Sequence, residues 1–184
     1  MAKLKRYLIL PKSKIPLKKQ KLFYLAGPVE GGGGWQKKAI SILRKDFPEA
    51  YFAFRCPFNE MRRLRRFALK GEEEQYSSEA EWRRDQMEFA AMSGCLMFWL
   101  GPQDKEEEAD FSKIPYGLIA SREEAEWAFR LFYNNKLRVV IGVHHSFPGH
   151  DEIVENLLDL FGANFHVYNR LPDLLEAAAL RAKK

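Results

Sequence analysis

The residues whose types could do chemistry lie in a few places along the chain. Gly31 to Gly34 follow a short apolar stretch and precede Trp35. Consecutive glycines let backbone N–H groups approach an anion at a helix N-terminus. Trp35-Gln36 stands where a P-loop would carry Lys-Ser/Thr, so that loop is excluded. A flexible turn would use the same glycines. Glu123, Glu124 and Glu126 open a helical stretch, where acids complement the helix dipole. Asp85 reads as a charge on a helix face. His144, His145 and His150 sit close together after an apolar run, yet no helical spacing aims them and Asp151 is the only obvious carboxylate nearby. Neither a metal nor a cofactor is expected. Of the tryptophans, Trp99 lies inside an apolar run and reads as core, whereas Trp35 beside the glycines could stack on a base. Cys56 and Cys95 lack Cys-x-x-Cys spacing, which excludes the usual structural zinc and fits a reducing, cytoplasmic compartment.

Composition narrows the class. The 184 residues are 46% hydrophobic and 30% charged, which excludes wholesale disorder. No apolar run approaches the roughly 18 residues of a membrane span, and the basic start predicts no secretory signal. The net charge of +5 is unevenly held. The first 21 residues carry eight of the 30 basic residues and no acid, so the remainder has 22 basic against 25 acidic residues. Residues 1–20 are therefore expected to be a basic arm, and 21–184 a single domain. No nucleic-acid motif accompanies the arm, and nucleic acid is not an expected partner.

These residues need elements to position them. Residues 21–26, 50–54, 95–100, 138–143 and 164–168 read as short, mostly apolar strands, with 6–10 able to add an edge. Between them lie helical patterns over 35–46, 61–69, 78–92, 121–134, 151–161 and 174–182. Ser78 and Ser121 are the expected N-caps of two of these, and Glu81 completes a capping box with Ser78. Alternation of strands and helices predicts an α/β fold: a doubly wound, mostly parallel five-stranded sheet, flavodoxin- or Rossmann-like, with helices on both faces. Continuous apolar strands agree, since parallel sheets are buried on both sides. Ligands of such sheets bind beyond the carboxyl ends of the strands.

Tyr24-Leu25-Ala26-Gly27-Pro28 resembles the opening pentad of the nucleoside 2-deoxyribosyltransferase family. Gly34-Trp35-Gln36 is similar to the start of that family's first helix in its divergent branch. Trp82-Arg83-Arg84-Asp85, followed by the run from Cys95 to Leu100, resembles the helix and third strand before the active centre. Glu123-Glu124-Ala125-Glu126-Trp127-Ala128 falls where the family has Glu-x-Gly-x-Ala. The resemblance spans residues 21–170. It implies an enzyme acting on the N-glycosidic bond of a nucleoside or nucleotide, in which a glutamate attacks the anomeric carbon and the base leaves. Free base or water then takes the sugar, so transferase and hydrolase both stay open. It also implies a homo-oligomer.

The same resemblance implies catalytic roles for Glu124, Asp85 and Tyr24, as nucleophile, proton donor or sugar contact, and nucleophile-holding hydroxyl. Gly27, Pro28, Gly33, Gly34, Trp35 and Glu126 would contact substrate. Glu124 is preferred as nucleophile because Ala128 then takes the family alanine. If Ala125, Ala128, Phe129 and Phe132 form the buried face, Glu124 lies at its rim and Glu123 points outward. Glu126 is the second choice, and it occupies the family's glycine position. Ser93 replaces a second family aspartate. A non-catalytic nucleotide-sensing module is the alternative from another class.

Overall fold

The computed structural model describes residues 6–13, 20–56, 63–69, 76–106, 111–112 and 114–184. Five parallel strands form one sheet: β1 (Leu8–Ile9), β2 (Leu22–Ala26), β3 (Tyr51–Ala53), β4 (Cys95–Leu100) and β5 (Val139–Val143). Their order is β1-β3-β2-β4-β5. The helices are α1 (Trp35–Asp46), α2 (Glu79–Ser93), α3 (Leu118–Tyr133), α4 (His150–Phe161) and α5 (Leu171–Lys183). The expected doubly wound α/β architecture is present. From β2 the chain first winds outward through α1 to β3. It then returns through α2 to β4 on the other flank of β2. The carboxyl ends of β2 and β4 therefore diverge, and a crevice opens between their outgoing loops.

Alternation along each strand sorts the side chains. Phe23, Leu25, Met97 and Trp99 pack with α1 and α5 on one face. Leu22, Tyr24, Ala26, Leu96, Phe98 and Leu100 pack with Trp82 of α2 and Trp127 of α3 on the other. All residues of β2 and β4 are buried, which is why both read as unbroken apolar runs. Ser78 caps α2, its Oγ accepting from Glu81 N at 3.1 Å. The Glu81 carboxylate accepts from Ser77, not from Ser78 N, so the capping box closes one residue further out.

Three expectations change. Residues 164–168 supply only one bridge, with Val143 N donating to Tyr168 O and Tyr168 N to Ile141 O. That segment stays half-exposed, so it buries too little to extend into a strand. The fifth strand is instead β1, within the 6–10 edge that the sequence allowed, and its Leu8 and Ile9 are buried; part of the expected arm thus belongs to the sheet. The helix expected over 61–69 is a short turn ending in a 3-10 stretch, Arg65–Phe67, with 61 and 62 outside the described residues. Helix α3 begins at Leu118 with Gly117 as N-cap, three residues before the expected cap Ser121. Ser121 Oγ donates back to Leu118 O inside the helix. Its first turn consequently holds no acid, and Glu123 and Glu124 sit in the second turn, where dipole complementation falls away.

Candidate active site

A cavity of about 500 Å³ opens above the carboxyl end of β2. Tyr24, Gly27, Pro28 and Glu30 come from β2 and its loop, Arg55 from beyond β3, Glu79 from the start of α2, and Gly117 to Ala120 with Glu123 from α3. Its aromatic wall is Phe111, which packs edge-on against Tyr116. Tyr116 in turn donates to Gly101 O and Pro102 O, tying this wall to the end of β4.

The helix phase decides which glutamate reaches the cavity. Ala120, Glu124, Trp127, Ala128 and Leu131 form the buried face of α3. Ala125, Phe129 and Phe132 are exposed, contrary to the face expected from sequence. The face is thereby rotated, and Glu124 lies within it at 3% exposure while Glu123 takes the rim. Glu124 does not line the cavity. Its Oε1 finds no hydrogen-bond partner among the described residues, and burial pushes its pKa up to about 7.

Glu123 is held differently. Its Oε1 lies 2.9 Å from Arg83 Nη1, with neither side chain more than a quarter exposed. Burial raises its pKa; the Arg83 and Arg55 charges pull the other way without cancelling the rise. Tyr24 is 1% exposed, and its hydroxyl has no partner among the described residues. Burial first, then the Glu123 charge, pushes the phenol above its ordinary pKa, so it stays a neutral donor. A buried donor without a partner costs stability unless a ligand or water completes it. Tyr24 and Glu123 both line the cavity.

The other expected site residues separate into two groups. Gly27 and Pro28 border the cavity as expected. At Gly27 a Cβ would stand 2.3 Å from Trp99 O and 2.8 Å from the Trp35 ring, so glycine is required for strand packing there. Asp85 is exposed on α2 and does not line the cavity; the α2 carboxylate that does is Glu79, with Arg55 Nε 4.0 Å away. Glu126 is also exposed and borders the groove between α2 and α3 instead. Trp35 is 5% exposed, and its Nε1 donates to Pro28 O. Gln36 Nε2 donates to the same oxygen. Trp35 is thus a core residue that pins the loop, not a stacking platform.

Gly33 and Gly34 lie outside the cavity lining as well. The Asp104 carboxylate stands against Gly33, 3.3 Å from where a Cβ would be, and Asp104 N donates to Gly31 O. The glycine loop thus faces an anion supplied by the chain itself. Gly33 adopts φ +62°, a left-handed conformation. Gly33→Val places a β-branched residue there and should cost about 1–2 kcal/mol. That would be seen as a melting temperature lowered by a few degrees. Gly33→Asn, which tolerates this conformation, should melt close to wild type; equal melting of the valine variant would contradict the loop geometry.

Among the histidines, Ser146 N donates to His144 Nδ1, which leaves the ring proton on Nε2. Partial burial, with His145 and His150 nearby, lowers the His144 pKa. His150 Nδ1 pairs with Asp151 Oδ1 at 2.8 Å. Among the described residues no group of three His, Cys, Asp or Glu could hold a metal ion.

No protein-family model matches the chain, and no curated protein matches it. The cavity's own chemistry has to carry the functional reading. Sequence reasoning missed Glu123, Glu79, Arg55 and Arg83. A signal existed for the first: Ala120, Trp127 and Leu131, spaced i, i+7 and i+11, mark the true buried face and put Glu123 at its edge.

Proposed function

We propose that the chain breaks the N-glycosidic bond of a nucleoside or nucleotide in this cavity, with Glu123 in the nucleophile's role in place of Glu124. The observation that carries this is that Glu123, paired with Arg83, and Tyr24, whose hydroxyl has no partner among the described residues, line one cavity at the carboxyl end of β2. An ionised carboxylate below an anomeric carbon suits an oxocarbenium-like transition state. Glu124 suits it poorly, being buried without a cation and half protonated near pH 7.

In this reading a Glu123 oxygen bonds to C1′ as the C1′–N bond breaks. The electron pair goes to the base nitrogen, which takes a proton from the Glu79 carboxyl, another acid lining the cavity. Water or a second base then attacks C1′, giving its proton to the Glu79 carboxylate, and the C1′–O bond to Glu123 breaks to release that carboxylate. The Tyr24 hydroxyl, without a partner among the described residues, is left to donate to the substrate, and Phe111 offers a face to the base. Cys95 is a buried free thiol, which fits a reducing compartment and a cytoplasmic location. Among the described residues no helix is long and apolar enough to cross a membrane. Phe129, Phe132 and Tyr133 leave an exposed aromatic face available for self-association.

The test is incubation with a panel of ribo- and deoxynucleosides and their monophosphates, with and without free base. Base release or exchange, and a sugar adduct on the peptide containing Glu123 by mass spectrometry, are expected. Binding without any base release would leave the sensing module as the function.

A further inference from the structure

A second cavity lies on the opposite face of the sheet and differs in charge. It measures about 410 Å³, within the range of small-ligand sites. Its floor is aromatic and aliphatic: Tyr7, Phe54 and Phe67 line it, with Tyr7 and Phe67 rings 5.5 Å apart. Its rim carries Lys37, Arg63 and Arg66, and no carboxylate lines it among the described residues. The Arg66 guanidinium lies over the Phe67 ring at 4.7 Å and presents a flat cationic surface to the opening. Tyr7 belongs to the basic N-terminal segment, which β1 fastens beside β3.

We infer that this cavity binds a phosphate ester carrying an aromatic base, the base against the Phe67–Arg66 stack and the phosphate at Arg63 on the cationic rim. An aromatic floor alone would take any apolar group. A cation rim alone would take any anion. Together they match a ligand that is flat and aromatic at one end and doubly acidic or polyanionic at the other. A free nucleotide and a single-stranded oligonucleotide share that chemistry. The site is separate from the Glu123 cavity and does not depend on catalysis there.

The full chain would be titrated calorimetrically at about 50 mM salt with adenosine 5′-monophosphate, adenosine, inorganic phosphate and a short single-stranded oligouridylate. Amide shifts from NMR would locate each complex. Nucleotide or oligonucleotide should bind and shift Tyr7 and Phe67, with adenosine and phosphate each about tenfold weaker. A stronger oligonucleotide complex, weakening steeply with salt, would name nucleic acid as the source; equal binding would name the free nucleotide. The Arg63→Ser/Arg66→Ser double variant alters two exposed side chains, so it should melt as wild type while binding falls about tenfold or more. Undiminished binding by that variant, phosphate binding as tightly as nucleotide, or no binding at about 1 mM ligand would each overturn the inference.

Discussion

Glu123→Gln should lower base release by roughly a thousandfold or more and remove the sugar adduct, because an amide oxygen is a poor nucleophile toward the anomeric carbon. Glu124→Gln should keep most of the activity, since that side chain does not line the cavity. This reverses the order that the sequence suggests. Wild-type kcat/KM should also fall toward acid pH with a midpoint above the ordinary glutamate value. Burial raises the Glu123 pKa, and the protonated form cannot attack. The glutamine variant costs part of an ion pair that is only about one-fifth exposed, so a melting temperature measured beside the rate separates lost chemistry from lost fold. Retained turnover in Glu123→Gln with an unchanged pH profile would sink the nucleophile assignment.

Glu124 should show itself in stability instead. Its folded pKa of about 7 lies above the unfolded value of 4.5, so the folded state holds this proton more tightly. Between those values the unfolded chain gives up the proton first, and stability therefore falls as pH rises through that window. Above about pH 7 the full penalty remains, on the order of 3 kcal/mol from the pKa difference. Glu124→Met keeps the volume and removes the charge. Relative to wild type, it should raise the melting temperature at pH 8 by roughly 5–10 °C, and by much less at pH 4. Comparing the two proteins at both pH values cancels the other titrating groups. A variant less stable than wild type at pH 8 would mean that the buried carboxyl has a stabilising partner and that the desolvation account is wrong.

Why a chain would keep such a group follows from its neighbours. Glu124 is one turn from Ala120, which lines the cavity, and adjacent to Glu123. Residues near a site that must desolvate a carboxylate commonly sit away from the stability optimum. Tyr24 and Trp82 add to this, each with a buried polar atom lacking a partner among the described residues. Their rings lie 6.3 Å apart on the same side of the sheet.

The layered architecture was legible from residues alone because it rests on local patterns. The runs at 22–26 and 95–100 are apolar throughout, and only a strand buried on both faces uses such a run economically. Gly27-Pro28 and Gly101-Pro102 stop those strands, and Ser78 with Glu81 opens α2. The same local information placed Gly27, Pro28 and Tyr24 at the carboxyl end of a strand, and all three line the cavity there. The edge was legible in part: the apolar run from Tyr7 to Leu10 supplies the edge strand the sequence allowed there, whereas 164–168 reaches only one bridge with Gly142.

The sequence by itself determined the strand–helix alternation, the charge segregation, and the sheet end where chemistry would gather. Tertiary structure alone decided which side chains meet there. Phe129 and Phe132 are as apolar as core residues, so composition assigns them inward, yet neighbouring elements leave them exposed and turn Glu124 into the buried face. A rotation of one position on a helix moves a side chain by about 100°, enough to exchange a cavity-lining carboxylate for a buried one. Asp104 against the glycine loop, and Arg83 against Glu123, join residues far apart in the chain. Such long-range contacts are set by how the packed layers fit together, and no local periodicity encodes them.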